Sequence, residues 1–125
     1  YCVVGSDGLT RSWKEKGHPR ASGTFPHAIT YFVKEKKIMS LEEIIHKMTG
    51  QTAEYLLVKN KGFIRQGYDA DLLIFDYDRL QDTATYSNPN SITEGIDYVF
   101  VNGELVYHDK QFTGAAPGRM IRHNA

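Results

Sequence analysis

The sequence predicts a mixed α/β fold in which one strand and three helices precede a predominantly antiparallel β region that begins near Gly62. Three observations lead to this prediction. Residues 2–4 form a short apolar, β-prone run at the start of the chain. Apolar residues then recur at helical spacing up to residue 57 and in short β-type runs after Gly62. Finally, Asn102-Gly103 separates two apolar runs, which is a strong signal for a β-hairpin.

The composition limits the classes of protein to which the chain can belong. Its 125 residues suffice for one domain with a moderate core but not for a complete (β/α)8 barrel. Lys and Arg together number 15, as do Asp and Glu, and no long basic run is present, so we expect no nucleic-acid partner. No stretch approaches the roughly 20 apolar residues of a membrane span, so we expect no membrane partner. Cys2 is the only cysteine, which favours a cytoplasmic location.

The first strand is predicted to be buried and to be followed by an acid. A continuous apolar run such as residues 2–4 is typical of a parallel strand that is covered on both faces. Asp7 follows this run, and in α/β barrels an acid at the carboxyl end of a strand is typical of a catalytic group. The structural alternative for Asp7 is a turn, since Ser-Asp-Gly is a common turn sequence. Residues 8–23, rich in Gly, Ser and charge, are predicted to form a long loop over this strand end.

Three helices are predicted after this loop. The first begins with Thr24 as its cap and has Pro26 in its first turn. The second begins at a capping box in which Ser40 and Glu43 satisfy each other's backbone N–H groups. The third is short and covers residues 52–57.

After Gly62 the sequence predicts short strands joined by turns. Residues 63–64 and 70–75 are the first two predicted strands, and the second, which ends in Leu-Leu-Ile-Phe, is expected to be buried. Asp71 and Asp76 bracket that apolar run. Turn or strand-end roles are expected for both acids.

The rest of the chain is predicted to form a polar excursion and a hairpin. Residues 77–93 carry Asn, Ser and Pro and are expected to have little regular structure. Residues 98–101 and 105–107 are the predicted hairpin strands, and residues 120–122 are a further candidate edge strand.

The remaining aromatic and histidine residues are expected to be structural. Cys2 is predicted to be a buried, inert apolar residue. His27 and His46 lie in predicted helices and are expected to be surface or packing residues. The aromatic residues expected in the core are Phe25, Tyr31, Phe32, Tyr55, Phe63 and Phe75.

Several motifs, taken in order, make the chain resemble the C-terminal end of the amidohydrolase superfamily, and its D-aminoacylase (N-acyl-D-amino-acid deacylase) branch in particular. The motifs that point to this branch are G-S-D-G at 5–8, H-P-R at 18–20, G-T-F-P at 23–26 and P-G-R at 117–119. The superfamily in general is indicated by G-F-I-R-Q-G-Y-D-A-D-L-L-I-F-D at 62–76 and V-N-G at 101–103.

The resemblance implies a larger parent enzyme made of a metal-binding (β/α)8 barrel and a small β-sandwich domain. Residues 1–61 would be the C-terminal end of the barrel, with its eighth strand, a loop and helices, and residues 62–125 the C-terminal share of the β-domain. The implied activity is zinc-dependent hydrolysis of N-acyl-D-amino acids to a carboxylate and a free D-amino acid. The alternatives are a cyclic amidase of the dihydroorotase or hydantoinase kind, and a non-catalytic β module that serves assembly.

By the same resemblance, Asp7 is the candidate catalytic residue and metal ligand. Zinc lowers the pKa of bound water to about 7, and a nearby carboxylate can carry a proton to the leaving amine. His18 and Arg20 are the candidate substrate-binding residues, with Arg20 as the partner of a substrate carboxylate. The structural alternative for Arg20 is an ion pair that orders the loop.

The chain by itself is expected to be inactive and to hold no tightly bound zinc. Zinc sites need several converging ligands, and neither Cys2 nor the five histidines form a recognisable set around Asp7. A barrel strand without its neighbours also has open edges. We therefore expect residues 1–23 to be rearranged, or exchanged between copies in a homo-oligomer, and the β region to be the ordered core.

Overall fold

The computed structural model describes residues 2–9 and 15–122, in which helices come first and a sheet follows. The elements are helix α1 (Arg20–Ala28), a π-helix (Ile29–Glu35), α2 (Leu41–Met48), α3 (Gly50–Tyr55), and strands β1 (Leu72–Phe75), β2 (Ile96–Val101), β3 (Glu104–His108) and β4 (Gln111–Phe112). The strands form one antiparallel sheet in the order β1-β2-β3-β4. The predicted mixed composition and the antiparallel second half are confirmed. No helix among the described residues is long and apolar enough to cross a membrane.

Residues 2–9 form no strand, so the prediction of a buried first strand is wrong for this structure. Cys2 is exposed, contrary to the expectation that it is buried. Its carbonyl oxygen accepts hydrogen bonds from Lys47 Nζ at 3.2 Å and Gln51 Nε2 at 3.4 Å. A strand requires a neighbour whose backbone supplies the ladder of hydrogen bonds. Here the Cys2 carbonyl is instead hydrogen-bonded by two side chains, one from α2 and one from α3.

Helix α1 begins at Arg20, four residues before the predicted cap at Thr24. Pro19 is its N-cap residue, so the predicted loop ends earlier than expected. The part of that loop at residues 10–14 lies outside the described residues. Thr24 does not cap the helix, because its hydroxyl donates to the Arg20 carbonyl at 2.8 Å inside the first turn.

The predicted first helix continues as a π-helix, which the sequence analysis did not anticipate. Pro26 lies inside α1, and a proline has no N–H with which to complete the regular ladder. From Ile29 onward the backbone hydrogen bonds join residues that are five positions apart, which is the π-helical pattern. For example, the Lys36 N–H donates to the Tyr31 carbonyl at 2.9 Å. The π-helix places Ile29 in the core.

Helices α2 and α3 follow with a single residue between them. The predicted capping box is confirmed, because the Glu43 N–H donates to Ser40 Oγ at 3.1 Å and the Ser40 N–H donates to Glu43 Oε2 at 2.8 Å. The hydrogen bond from the Ser40 N–H, followed by the interaction with the Ser40 side chain, holds the pKa of the Glu43 carboxyl below its ordinary value. Helix α3 begins at Gly50, two residues earlier than predicted. A Cβ at this glycine would lie 2.5 Å from Phe63 Cζ, so a larger residue there would displace the Phe63 ring.

The core joins the helices to the chain that follows β1, so the expectation that the β region alone forms the core is wrong. Its buried residues are Ala28, Ile29, Ile44 and Leu80. Phe32 and Phe75 pack against this cluster, in agreement with the sequence analysis. Phe25 and Tyr55 are 44% and 77% exposed, so the prediction that they are core residues is wrong.

The β2–β3 hairpin turns at Asn102-Gly103, as predicted. The two residues have φ values of +50° and +80°, which a two-residue type I′ turn requires. A second turn with two positive φ values, Asp109-Lys110, leads to the short strand β4, which the sequence analysis missed. Residues 63–64 and 120–122, predicted as strands, lie outside any strand.

Strand β1 is less buried than the sequence predicts. Leu73 and Ile74 are 51% and 50% exposed. Among the described residues β1 pairs only with β2 and lies at the edge of the sheet. Leu72, Leu73 and Ile74 are therefore exposed in this chain, whereas Phe75 packs against the core.

Residues 77–93 have little regular structure, as predicted, but they are fastened to the rest of the fold. Asp76, at the end of β1, accepts hydrogen bonds from the N–H of Arg79 at 3.1 Å and from its Nε at 2.7 Å. Arg79, chiefly through its side chain, lowers the pKa of the Asp76 carboxyl. Lys34 Nζ on the π-helix donates to the Leu80 carbonyl at 2.9 Å. The excursion is thereby held against the helices.

Asp71 ties the start of β1 to the hairpin turn, which confirms its expected turn role. Its carboxylate accepts a hydrogen bond from the Asn102 N–H at 2.8 Å and pairs with Lys61. Lys61 also lies 3.0 Å from Asp69. The Lys61 ammonium, followed by the Asn102 N–H, lowers the pKa of Asp71, and Asp71 in turn raises the pKa of Lys61.

We expect Asp71→Asn to lower the free energy of unfolding by about 1 kcal/mol at pH 7, because the pair is partly exposed and the amide still accepts one hydrogen bond. The folded-state pKa of Asp71 is lowered, so its contribution is present above the ordinary carboxyl pKa and is lost as the pH falls through the folded value. Urea unfolding at pH 7 and pH 3 measures both effects. Glu104→Gln, which removes an exposed carboxylate beside the same turn, is the control; equal losses in the two variants would contradict the prediction.

Candidate functional site

A cleft of about 280 Å³ lies between the first turns of α1 and residues 82–86 of the excursion. The lining residues are His18, Pro19, Arg20, Gly23, Thr24, His27, Asp82, Ala84, Thr85 and Tyr86. One wall of the cleft is thus helix α1, of which the sequence predicts the part after Thr24. The other wall is a segment for which the sequence predicts only irregular structure.

The structure brings Asp7 and Arg20 together beside this cleft. Arg20 Nη1 lies 3.1 Å from Asp7 Oδ2. The Asp7 side chain is 83% exposed, and its φ of +50° places it in the left-handed region that Asp tolerates better than most residues. Arg20 is the first residue of α1 and lines the cleft, so this ion pair connects the exposed carboxylate to the cleft.

His18 is the third predicted site residue, and it too lines the cleft. Its Nδ1 accepts a hydrogen bond from the Arg20 backbone N–H at 3.1 Å. Its Nε2 lies 3.2 Å from Tyr86 Oη, and the two rings meet edge to face with centroids 5.1 Å apart. The three residues Asp7, His18 and Arg20 therefore form one connected group.

Asp82 fastens the excursion to α1 at the base of the cleft. Its carboxylate lies 3.2 Å from His27 Nδ1, accepts a hydrogen bond from the Ala84 N–H at 2.9 Å, and is 14% exposed. Gly23 makes this approach feasible, because a Cβ at that position would lie 2.3 Å from Asp82 Oδ1. His27 is a surface residue, which is one of the two roles expected for it, and it also lines the cleft.

Asp82 and Tyr86 also belong to the candidate site, although the sequence does not predict them as site residues. Both lie more than 60 positions beyond His18 in the chain, in a segment without periodicity. The one sequence signal at this contact is Gly23, since a glycine within a helix often marks a close approach of another chain segment. It does not indicate which segment approaches.

The described residues do not form a metal site by themselves. Nowhere in residues 2–9 and 15–122 do three His, Cys, Asp or Glu side chains converge as ligands. A zinc site usually takes three or four protein ligands, and Asp7 offers one.

Comparison with known proteins places the chain in a family. Residues 2–107 match the amidohydrolase family. The chain belongs to this family. The resemblance that the motifs indicate, including the D-aminoacylase type, is thereby confirmed.

Three relatives show what this amidohydrolase chain is similar to. N-acyl-D-aspartate deacylase from Alcaligenes xylosoxydans xylosoxydans is 42% identical over 119 residues, which are 95% of this chain and 24% of that protein. The crystal structure of D-aminoacylase superposes with a TM-score of 0.84 at 39% identity, covering 90% of this chain and 23% of that one. N-acyl-D-glutamate deacylase from Bordetella bronchiseptica, solved with zinc and a phosphonate inhibitor, gives a TM-score of 0.80 at 34% identity, covering 88% and 23%. The chain spans about a quarter of the length of these relatives.

We expect Gly23→Ala to destabilise the protein by about 1–3 kcal/mol, because the added Cβ displaces Asp82 from α1. Without this contact, alanine would stabilise the helix relative to glycine. A loss of stability in Gly23→Ala would therefore be caused by the close contact with Asp82. Urea unfolding of Gly23→Ala, Asp82→Ala and the double variant measures the coupling. In the Asp82→Ala background we expect Gly23→Ala to cost much less; equal costs in both backgrounds would contradict the prediction.

Proposed function

We propose that this chain is part of a zinc-dependent hydrolase that cleaves the amide bond of N-acyl-D-amino acids to a carboxylate and a free D-amino acid. The observation that carries the proposal is the connected group at the cleft, in which Asp7 pairs with Arg20, and Arg20 and His18 line the space that a small ligand can enter. The similarity of the chain to three known enzymes supports the proposal. They are N-acyl-D-aspartate deacylase, D-aminoacylase and N-acyl-D-glutamate deacylase.

Arg20 is the proposed partner of the substrate carboxylate. A guanidinium has five N–H donors in a planar fork, and the Asp7 contact uses the Nη1 end. The remaining donors can bind a carboxylate in the bidentate manner that favours Arg over Lys. Its position at the start of α1 also puts the ligand's negative charge near the positive end of the helix. The chain therefore offers an anion-binding group beside its exposed acid.

Asp7 is the proposed catalytic acid/base and a metal ligand. When bound, zinc supplies a water molecule that is a usable nucleophile near neutral pH. The cleaved amide needs a proton on its leaving nitrogen, and a carboxylate that has taken the proton from the attacking water can deliver it. Asp7 is suited to this transfer because its carboxylate is 83% exposed and lies beside the Arg20 guanidinium.

In the full-length protein that carries this chain, we expect Asp7→Asn to lower kcat for an N-acyl-D-amino acid by about 10²- to 10⁴-fold, because the amide cannot exchange the proton. Asp109→Asn, which neutralises an exposed aspartate distant from the cleft in sequence and absent from its lining, is the control with expected normal turnover. Steady-state kinetics on purified, zinc-loaded proteins gives the result. Near-normal turnover in Asp7→Asn would reject the proposed role.

The 125-residue chain alone is expected to hydrolyse no N-acyl-D-amino acid and to retain no stoichiometric zinc, because its described residues contribute a single candidate ligand. Metal analysis after dialysis and an assay for released D-amino acid measure the two quantities. One tightly bound zinc per chain, together with turnover, would show that the chain contains a complete site.

A further inference from the structure

Both ring nitrogens of His18 are engaged within the cleft. Nδ1 accepts the Arg20 N–H at 3.1 Å, and a nitrogen that accepts carries no proton. The neutral ring therefore carries its proton on Nε2, which lies 3.2 Å from Tyr86 Oη and donates to it. This leaves His18 with no ring nitrogen to offer directly to a ligand.

Because the Tyr86 hydroxyl accepts the hydrogen bond from His18, its own O–H can donate a hydrogen bond to a different acceptor. A phenol oxygen can accept one hydrogen bond while its O–H donates another. Among the described residues, His18 is the one hydrogen-bonding partner of this hydroxyl. Tyr86 is 79% exposed and lines the cleft together with Arg20. The cleft thus contains a hydroxyl donor whose direction is set by an imidazole.

Residues 82–86 hold this donor in place. Asp82 binds the segment to α1 through its contact with His27. At the other end, the Thr85 N–H donates to the Asn88 carbonyl at 3.2 Å and the Asn88 N–H donates to Thr85 Oγ1 at 3.0 Å. A donor that is already ordered loses little conformational entropy when a ligand binds.

The exposed polar groups of the cleft are mainly donors. Asp82 is the acid among the lining residues, and its largely buried carboxylate is occupied by His27 and the Ala84 N–H. Arg20 and Tyr86 are two accessible donors of this lining, and the exposed His27 ring pairs with Asp82 through Nδ1. Such a lining fits a ligand rich in oxygen acceptors, above all a carboxylate.

We propose that Tyr86 is a further ligand-binding residue, whose hydroxyl donates a hydrogen bond to an oxygen of the carboxylate-bearing ligand in this cleft. His18 is then a positioning residue, which orients that hydroxyl and contributes to binding through it. This inference rests on the proposed function for the identity of the ligand, an N-acyl-D-amino acid.

The test is the Kd of N-acetyl-D-aspartate, measured by calorimetry in the full-length protein after removal of its metal, so that no turnover occurs. Tyr86→Phe keeps the ring and its edge contact with His18 but removes the hydroxyl. We expect it to weaken binding about tenfold, the effect of one hydrogen bond to a charged group. Tyr55→Phe, at an exposed tyrosine outside the cleft, is the matched control and should leave Kd unchanged.

The double variant separates positioning from direct contact. If His18 acts through Tyr86, then His18→Ala and Tyr86→Phe weaken binding by similar factors, and the double variant is no weaker than either. Additive losses would show that His18 affects binding by a route other than Tyr86, such as its hydrogen bond to the Arg20 N–H, and would overturn its role in positioning Tyr86. Unchanged binding in Tyr86→Phe, or no binding of the probe to the parent protein, would overturn the proposal as a whole.

Two further measurements keep this inference apart from the proposed function. Nitrogen NMR of His18 in the 125-residue chain should show a protonated Nε2 and an unprotonated Nδ1; the opposite tautomer would overturn the orientation of Tyr86. Turnover of N-acetyl-D-aspartate by the zinc-loaded full-length protein is assayed separately. Binding that depends on Tyr86 without turnover would reject the proposed function and leave the binding role of Tyr86 standing.

Discussion

The insertion of Leu80 between the helices is the contact on which the rest of this structure depends. Leu80 is 2% exposed and packs with Ala28, Ile29 and Ile44, although it belongs to an otherwise irregular segment. Burying a leucine side chain is worth about 1.5–3 kcal/mol, and Lys34 adds a hydrogen bond to its carbonyl. Gly95 permits the close packing behind it, since a Cβ there would lie 2.6 Å from the Leu80 nitrogen. Leu80 thus joins the helices to the chain that follows β1, and Phe75 and Ile96 of the sheet pack against the same cluster.

The cleft is a consequence of that contact. Once Leu80 is fixed against the helices, Asp82 follows two residues later and reaches Gly23 and His27 on α1. Tyr86 then lies beside His18, so the two walls of the cleft are held together at both ends. The site is therefore built from two stretches of sequence that share no local pattern. Its geometry is set by packing of the core, and the polar contacts refine it.

Because the cleft is set by packing between distant stretches of the chain, the sequence predicts the local elements of the fold better than it predicts the site. The capping box at Ser40 and the turn at Asn102-Gly103 are set by neighbouring residues, and both are confirmed. The strand at residues 2–4 was predicted wrongly because a strand also needs a partner, which the described residues do not supply. Asp7, His18 and Arg20 could be singled out from motifs, whereas the wall with Tyr86 could not, because its contact with His18 spans 68 residues.

The position of Asp7 is the least constrained part of the site, and this bears on its role. The left-handed backbone conformation of Asp7 destabilises the folded state by about 1 kcal/mol. An exposed ion pair such as that between Asp7 and Arg20 stabilises it by about the same amount or less. The two effects nearly cancel, and no strand fixes the residues before it. Arg20, by contrast, is fixed by the first turn of α1, and the ordered Tyr86 lies beside it in the cleft. The proposed anion-binding side of the site is consequently fixed by contacts within the described residues, whereas the Asp7 carboxylate is held there by an exposed ion pair.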